Sequence, residues 1–208
     1  MTGMSKRCAL LVWLVGMLAV PPAVLRGQSP AWRISGTVSQ VWFGRTVRDT
    51  VLDNFNGRPT ATAGWGLAAD HAVGRVRAGI GLTYTSSYLE GYGSDVSLVN
   101  RDSHMRQLEV AGLLTVPLTR LGDAGAEVLL AGGPTLGFWS VTGEDNRTTF
   151  GGLATLQVAA PLGGGWRLLA SAGGSLSGSP IAEASVPSDF ETTTLLAGRV
   201  GVGLQYGF

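Results

Sequence analysis

The chain is poor in charge, has one lysine and one cysteine, and lacks a second long apolar run. Only 14% of its 208 residues are charged, against about 25% in an ordinary soluble domain. Lys6 and Cys8 both lie at the beginning, where Lys6 and Arg7 precede the apolar stretch CALLVWLVGMLAV and Pro21 and Pro22 end it. That order of charge, apolar run and helix breaker is the pattern of an export signal. Residues 1–27 are therefore read as a signal peptide, cleaved after Gly27. An uncleaved anchor is the alternative, although the run is shorter than the ~20 residues of a spanning helix. The remainder, residues 28–208, then has no cysteine, hence no disulfide and no lipoprotein-type anchor. It keeps twelve arginines against fourteen acids, a net charge of about −2, and no basic tract that would suit nucleic acid.

A mean hydropathy of +0.24 is high for water, yet no further helix-length apolar run follows. Such a chain can place alternate residues in lipid, as transmembrane β-barrels do. Period-two alternation indeed recurs in eight segments, with no helical stripe between them. The third is the cleanest: Val76, Ala78, Ile80, Leu82 and Tyr84 alternate with Arg75, Arg77, Gly79, Gly81, Thr83 and Thr85. The first sets Trp32, Ile34, Val38 and Trp42 against Arg33, Ser35, Thr37 and Ser39, with Val41 and Phe43 as apolar exceptions on the polar face. The second sets Ala61, Ala63, Trp65, Leu67 and Ala69 against Thr62, Gly64 and Gly66. The fifth carries Pro134, where a bulge is expected because proline cannot donate to a ladder. The last segment runs from about residue 192 to Phe208.

Connectors alternate between long and short. Residues 46–60, 89–103, 142–148 and 178–191 are long and polar, whereas 70–74, 119–125 and 162–165 are tight turns. Long outer loops with short inner turns, and an even strand number, describe an all-β, eight-stranded antiparallel up-and-down transmembrane β-barrel with both termini on the periplasmic side. Aromatics agree with this topology. Trp32 and Trp42 share one face, and at about 3.3 Å per residue and a tilt of about 40° they lie about 25 Å apart along the membrane normal. Trp32, Trp166, Tyr206 and Phe208 then fall at the periplasmic rim, and Trp42, Tyr84, Phe138 and Phe150 at the outer rim, as two girdles. A secreted sandwich using the same aromatics as core is the alternative.

The closing stretch VGVGLQYGF, with its alternate apolar face ending on an aromatic residue, resembles the C-terminal strand of the eight-stranded outer-membrane β-barrel family of the OmpX, OmpA transmembrane-domain and OmpW type. The resemblance spans residues 28–208. It implies a bacterial outer-membrane address among lipid and lipopolysaccharide, and a C-terminal strand read by the barrel-assembly machinery through Leu204, Tyr206 and Phe208.

The inner face carries Arg33, Arg75, Arg77, Glu109, Glu127, Arg167 and Arg199 among glycine, serine and threonine. Buried charges pair or are hydrated, so an ion pair between Glu109 and Arg199 at mid-height is expected. Filling by side chains is the main reading, since eight strands leave room only for side chains or one small ligand. A narrow conduit for small solutes is the alternative. A lipid A-modifying enzyme is a further one, because Asp102, Ser103 and His104 stand together. Adjacent strand residues point to opposite faces, however, so Ser103 would not meet His104 as nucleophile meets base. His71 reads as a turn residue. No metal-ligand spacing or nucleotide loop is present, and no cofactor is expected. The leading function is a non-enzymatic integral outer-membrane barrel with a structural role, meeting extracellular partners through its long loops.

Overall fold

Large apolar residues alternating with small or polar ones form strands, because only the pleat sends successive side chains to opposite faces. The computed structural model describes residues 30–51, 55–93, 97–122 and 125–208; the expected signal peptide lies outside them. The described strands are β1 (Trp32–Phe43), β2 (Val47–Asp49), β3 (Phe55–Pro59), β4 (Thr62–Val73), β5 (Val76–Gly93), β6 (Ser97–Leu121), β7 (Ala126–Val141), β8 (Arg147–Gly163), β9 (Trp166–Ser177), β10 (Phe190–Thr192) and β11 (Leu195–Gly207). Eight of them form an antiparallel ring in the order β1, β4, β5, β6, β7, β8, β9, β11. The last pairs back to the first from Arg33↔Gly207 to Phe43↔Ala197. The eight-stranded barrel expected from the alternation is the observed fold.

The outside of the ring is apolar. Ile34, Leu67, Ile80, Leu114, Val202 and Leu204 are all exposed, which no soluble surface of this extent would tolerate. In β4 the outward set is Ala63, Trp65, Leu67 and Ala69, with Ala61 exposed just before it, the phase read from the sequence. The described turns at the end where β1 begins and β11 ends are tight. Between β8 and β9 the turn is Gly164–Gly165, with φ of +58° and +85°, a conformation that glycine adopts without strain.

Two local features depart from expectation. Pro134 leaves a gap in the β6–β7 ladder between the pairs Ala111↔Thr135 and Leu114↔Gly132, but the register is unchanged; the bulge falls instead between Pro117 and Thr119. Pro117 likewise lacks an N–H, and near the rim an extra residue interrupts fewer paired neighbours. Residues 89–93 and 97–103 are also strand rather than loop. β5 and β6 continue outward past the barrel, with a register shift between Tyr88↔His104 and Leu89↔Asn100. β3 adds to β5, β2 to β3 and β10 to β2, which makes a small sheet above the outer rim.

Side chains lock this extension. Arg58 Nε donates to Glu90 Oε2 at 2.9 Å, its guanidinium lies 4.5 Å from the Tyr92 ring centre, and the Ser97 hydroxyl donates to Glu90 Oε1. The Ser97 hydroxyl, and after it the Arg58 guanidinium, hold the Glu90 carboxyl below the usual carboxylate range. A depressed carboxylate contributes stability that is fully present above its unfolded pKa and is lost as pH falls through the folded one. Amide protection of Leu89–Gly93 is therefore expected to fall on acidification below the unfolded carboxylate pKa of about 4.3. Glu90→Gln should remove that pH dependence in hydrogen exchange. An unchanged acid response in the variant would assign the effect to another group.

Candidate functional site

Inward-facing side chains fill the barrel at three heights. At the periplasmic end Glu127 of β7 is the hub. It accepts from Arg33 Nη2 of β1 at 3.1 Å, from Arg120 Nη2 of β6 at 3.4 Å and from Arg167 Nη1 of β9. Arg77 of β5 pairs with Asp70 of β4 and donates to the carbonyls of Pro30 and Ala31 at 3.0 and 3.1 Å. Four guanidinium groups thus meet two carboxylates, so the lower layer is net positive. Leu129, Ala159 and Leu169 pack as a small apolar cluster on the inner faces of β7, β8 and β9.

At mid-height Arg199 Nη2 of β11 donates to Glu109 Oε1 of β6 at 2.9 Å and lies 3.1 Å from Ser175 Oγ. β6 and β11 stand on opposite sides of the ring, so this pair spans the bore.

The outer end is apolar. Val41, Phe43, Met105, Trp139 and Leu195 form a buried cluster, with Phe43 and Trp139 edge to face at 6.2 Å. Ile181, from residues 178–191, closes it from above. That segment is held by Arg147 Nη1, which donates to the Ile181 carbonyl at 2.6 Å. A water-filled bore would wet its charged lining, but Glu127 and Glu109 are 2% and 3% exposed, and Met105 and Trp139 are 0% and 2% exposed. Side chains fill the lumen at mid-height and at the outer end, and a cavity of about 60 Å³ remains beside Arg33, Arg77 and Glu127 at the lower end.

Six of the seven expected lumen charges, Arg33, Arg77, Glu109, Glu127, Arg167 and Arg199, point inward. Arg75 does not. β5 begins at Val76, and Arg75 stands exposed in the turn beside Gly74, whose φ is +64°; alternation ends where the turn begins, so Arg75 lines the mouth and not the bore. Sequence reading missed Asp70 and Arg120, both placed in turns. Extending the β4 alternation by two residues beyond Ala68 would have put Asp70 inside. It also missed the apolar plug, whose signal was the pair Val41 and Phe43 on the polar face of β1.

The aromatic residues of the two girdles face outward, unlike Phe43 and Trp139 in the plug. Trp32 lies against His71 with ring centres 4.6 Å apart, Trp166 against Tyr206 at 4.9 Å, and Tyr206 stacks on Phe208 at 6.0 Å. Trp42, Tyr84, Phe138 and Phe150 are exposed at the other rim, and Trp65 lies opposite Tyr84. Phe208 is held by two main-chain bonds to Trp32, each 3.0 Å. Leu204 is exposed on the same outer face.

Ser103 accepts from Asn100 Nδ2 at 2.9 Å and does not reach His104. The serine that His104 meets is Ser86 of β5, with Nε2 to Oγ at 2.8 Å, while Arg106 Nε donates to His104 Nδ1 at 3.2 Å. A guanidinium only donates, so Nδ1 accepts, the ring proton sits on Nε2, and the histidine donates to Ser86. That tautomer is the reverse of what a general base for serine needs. Among the described residues no group of three His, Cys, Asp or Glu side chains could hold a metal ion.

No protein-family model matches the sequence, and no curated protein matches it. Solved structures match the fold. Neisserial surface protein A aligns over 88% of this chain and all of its own, at 10% identity and a TM-score of 0.58. The outer membrane protein OprG from Pseudomonas aeruginosa aligns over 88% of this chain and 99% of its own, at 12% identity and a TM-score of 0.54. The outer membrane protein AlkL, solved in lipid bilayers, aligns over 90% of this chain and 95% of its own, at 14% identity and a TM-score of 0.56. What this chain shares with small bacterial outer-membrane barrels is the fold.

Proposed function

We propose that this chain is a sealed, non-enzymatic integral protein of the bacterial outer membrane, structural in the lipid and interactive at its outer surface. The observation that carries the reading is the lumen, blocked by ion pairs at two heights and by an apolar plug above them. The apolar belt between two aromatic rims supports the membrane address, and the shared fold with outer-membrane proteins supports the compartment. Assembly machinery would read Leu204, Tyr206 and Phe208 on the outer face of β11, where lipid and lipopolysaccharide also contact the barrel.

The small outer sheet supplies the interaction surface. Between it and residues 178–191 lies a pocket of about 480 Å³, walled by Val47, Leu89, Leu98, Val99 and Val186. Glu183 and Asp189 are exposed around it, while Glu191 pairs with Arg48 at 3.8 Å, so a partner with an apolar anchor and a basic flank toward Glu183 and Asp189 fits best. The refolded barrel in planar bilayers is expected to show no steady conductance. A stable ohmic conductance that changes in Arg199→Gln would replace this reading with a conduit.

A further inference from the structure

Arg106 has its side chain on the lipid-facing side of β6, since its neighbours Met105 and Gln107 are the buried, inward ones. It pairs across the ladder with Ser86 on β5 and Ser140 on β7. One outward-facing row closer to the bilayer centre stand Tyr84, Leu108 and Phe138, paired with one another in the same way and exposed. Tyrosine and phenylalanine in such a row mark the membrane–water interface. Two residues along a tilted strand amount to about 5 Å along the normal, so Arg106 sits at headgroup height.

An outward arginine is unfavourable against hydrocarbon and nearly neutral at the interface, and this one is held in place. Its Nε is committed to His104, which in turn donates to Ser86. Arg106 forms no ion pair among the described residues. The guanidinium is thus oriented by the donor relay while both Nη groups lack a carboxylate. Beside it is an open groove of about 350 Å³ whose apolar wall is Tyr84, Leu108 and Phe138 and whose polar end includes Arg106, Ser140 and Arg147. Arg147 borders the groove by its place on β8, but its position pairs with inward Trp139 and its Nη1 turns to the Ile181 carbonyl over the bore, so the lipid-facing charge is that of Arg106.

We infer that this groove binds one anionic lipid of the outer leaflet, with the lipid phosphate on Arg106 and an acyl chain along Tyr84, Leu108 and Phe138. Planar guanidinium matches phosphate in a two-point contact, and the aromatic wall accepts the chain that a free anion lacks. The inference rests on the membrane reading above, and names a lipid and a place for it.

The test is native mass spectrometry of the refolded barrel released from vesicles of phosphatidylcholine mixed with phosphatidylglycerol, and separately with monophosphorylated lipid A. Insertion is checked first by the folded-form shift on unheated gels; failure to insert would overturn the membrane reading and the site with it. The wild type is expected to retain one anionic lipid. Arg106→Gln should weaken retention about tenfold, the loss of one charge-assisted contact, while Arg75→Gln at the opposite rim leaves it unchanged. Inorganic phosphate should not displace the lipid. Equal retention by Arg106→Gln, an equal loss in Arg75→Gln, or full displacement by inorganic phosphate would each overturn the proposal, the last by showing a free-anion site. Steady conductance with retention intact would remove the sealed-barrel reading and leave the lipid site standing.

Discussion

Glu127→Ala is expected to destabilise the barrel by about 3–5 kcal/mol, the cost of leaving a buried guanidinium without its counter-charge. Arg33 is the group most affected. It is 3% exposed, and its Nε has no acceptor among the described residues, so its pairing depends on the bond from Nη2 to Glu127. Arg167 and Arg120 lose the same acceptor, but their side chains are 19% and 35% exposed and reach water, so most of the cost falls on Arg33. Equilibrium urea unfolding of the refolded protein in detergent, followed by tryptophan fluorescence, measures the loss. The double variant Glu127→Ala with Arg33→Met should recover part of it, because the methionine removes the stranded charge while keeping most of the packed volume. A loss under about 1 kcal/mol, the value of an exposed ion pair, would mean that the lower lumen is hydrated. It would then count against the sealed bore as well.

Gly203→Val is expected to prevent closure of the barrel. Gly203 lies on the inner face of β11 opposite Thr37, in the ladder that joins the last strand to the first. A Cβ placed there would stand 2.1 Å from the carbonyl oxygen of Gly36 and 2.8 Å from Thr37 Cγ2. The first of these is backbone and cannot rotate away, so the seam has to open. Ordinary overpacking of a core costs about 1–3 kcal/mol; here the clash also disrupts main-chain pairing where the last strand meets the first, one of the eight ladders that keep the ring closed. In lipid an open sheet edge has no water to satisfy it. The folded-form shift on unheated gels should be lost in Gly203→Val and kept in Gly198→Ala, since Gly198 has open space on the same strand. Equal folding of both variants would show that the seam relaxes, and that the glycine is there for another reason.

Strand number, the facing of β4 and the approximate places of the short turns were legible in the residues, although Asp70, His71 and Arg120 prove to be strand and not turn residues. Each is a local property. A pleat has a period of two, so a few neighbours decide which side chains meet lipid, and Gly164–Gly165 declares a tight turn by itself. The inner face of β1 showed both halves of the lumen's character: Arg33 below, Val41 and Phe43 above. What those side chains would touch was not written locally. Arg199 and Glu109 are 90 positions apart in sequence; their pairing was expected only by way of the inferred eight-strand ring, because it depends on ring order and on the register of each ladder between them. The same holds for Glu127, which gathers arginines from β1, β6 and β9, and for Ser86, which meets His104 only because β5 and β6 pair as they do. The outer extension shows the limit most clearly. Residues 89–103 are polar enough to read as loop, yet β3 and the contacts of Glu90 with Arg58 and Ser97 hold 89–93 and 97–103 as strand. Alternation sets which face a residue takes; only the closed ring, by setting the stagger of one strand on the next, decides which residues share a height and therefore which charges can neutralise one another.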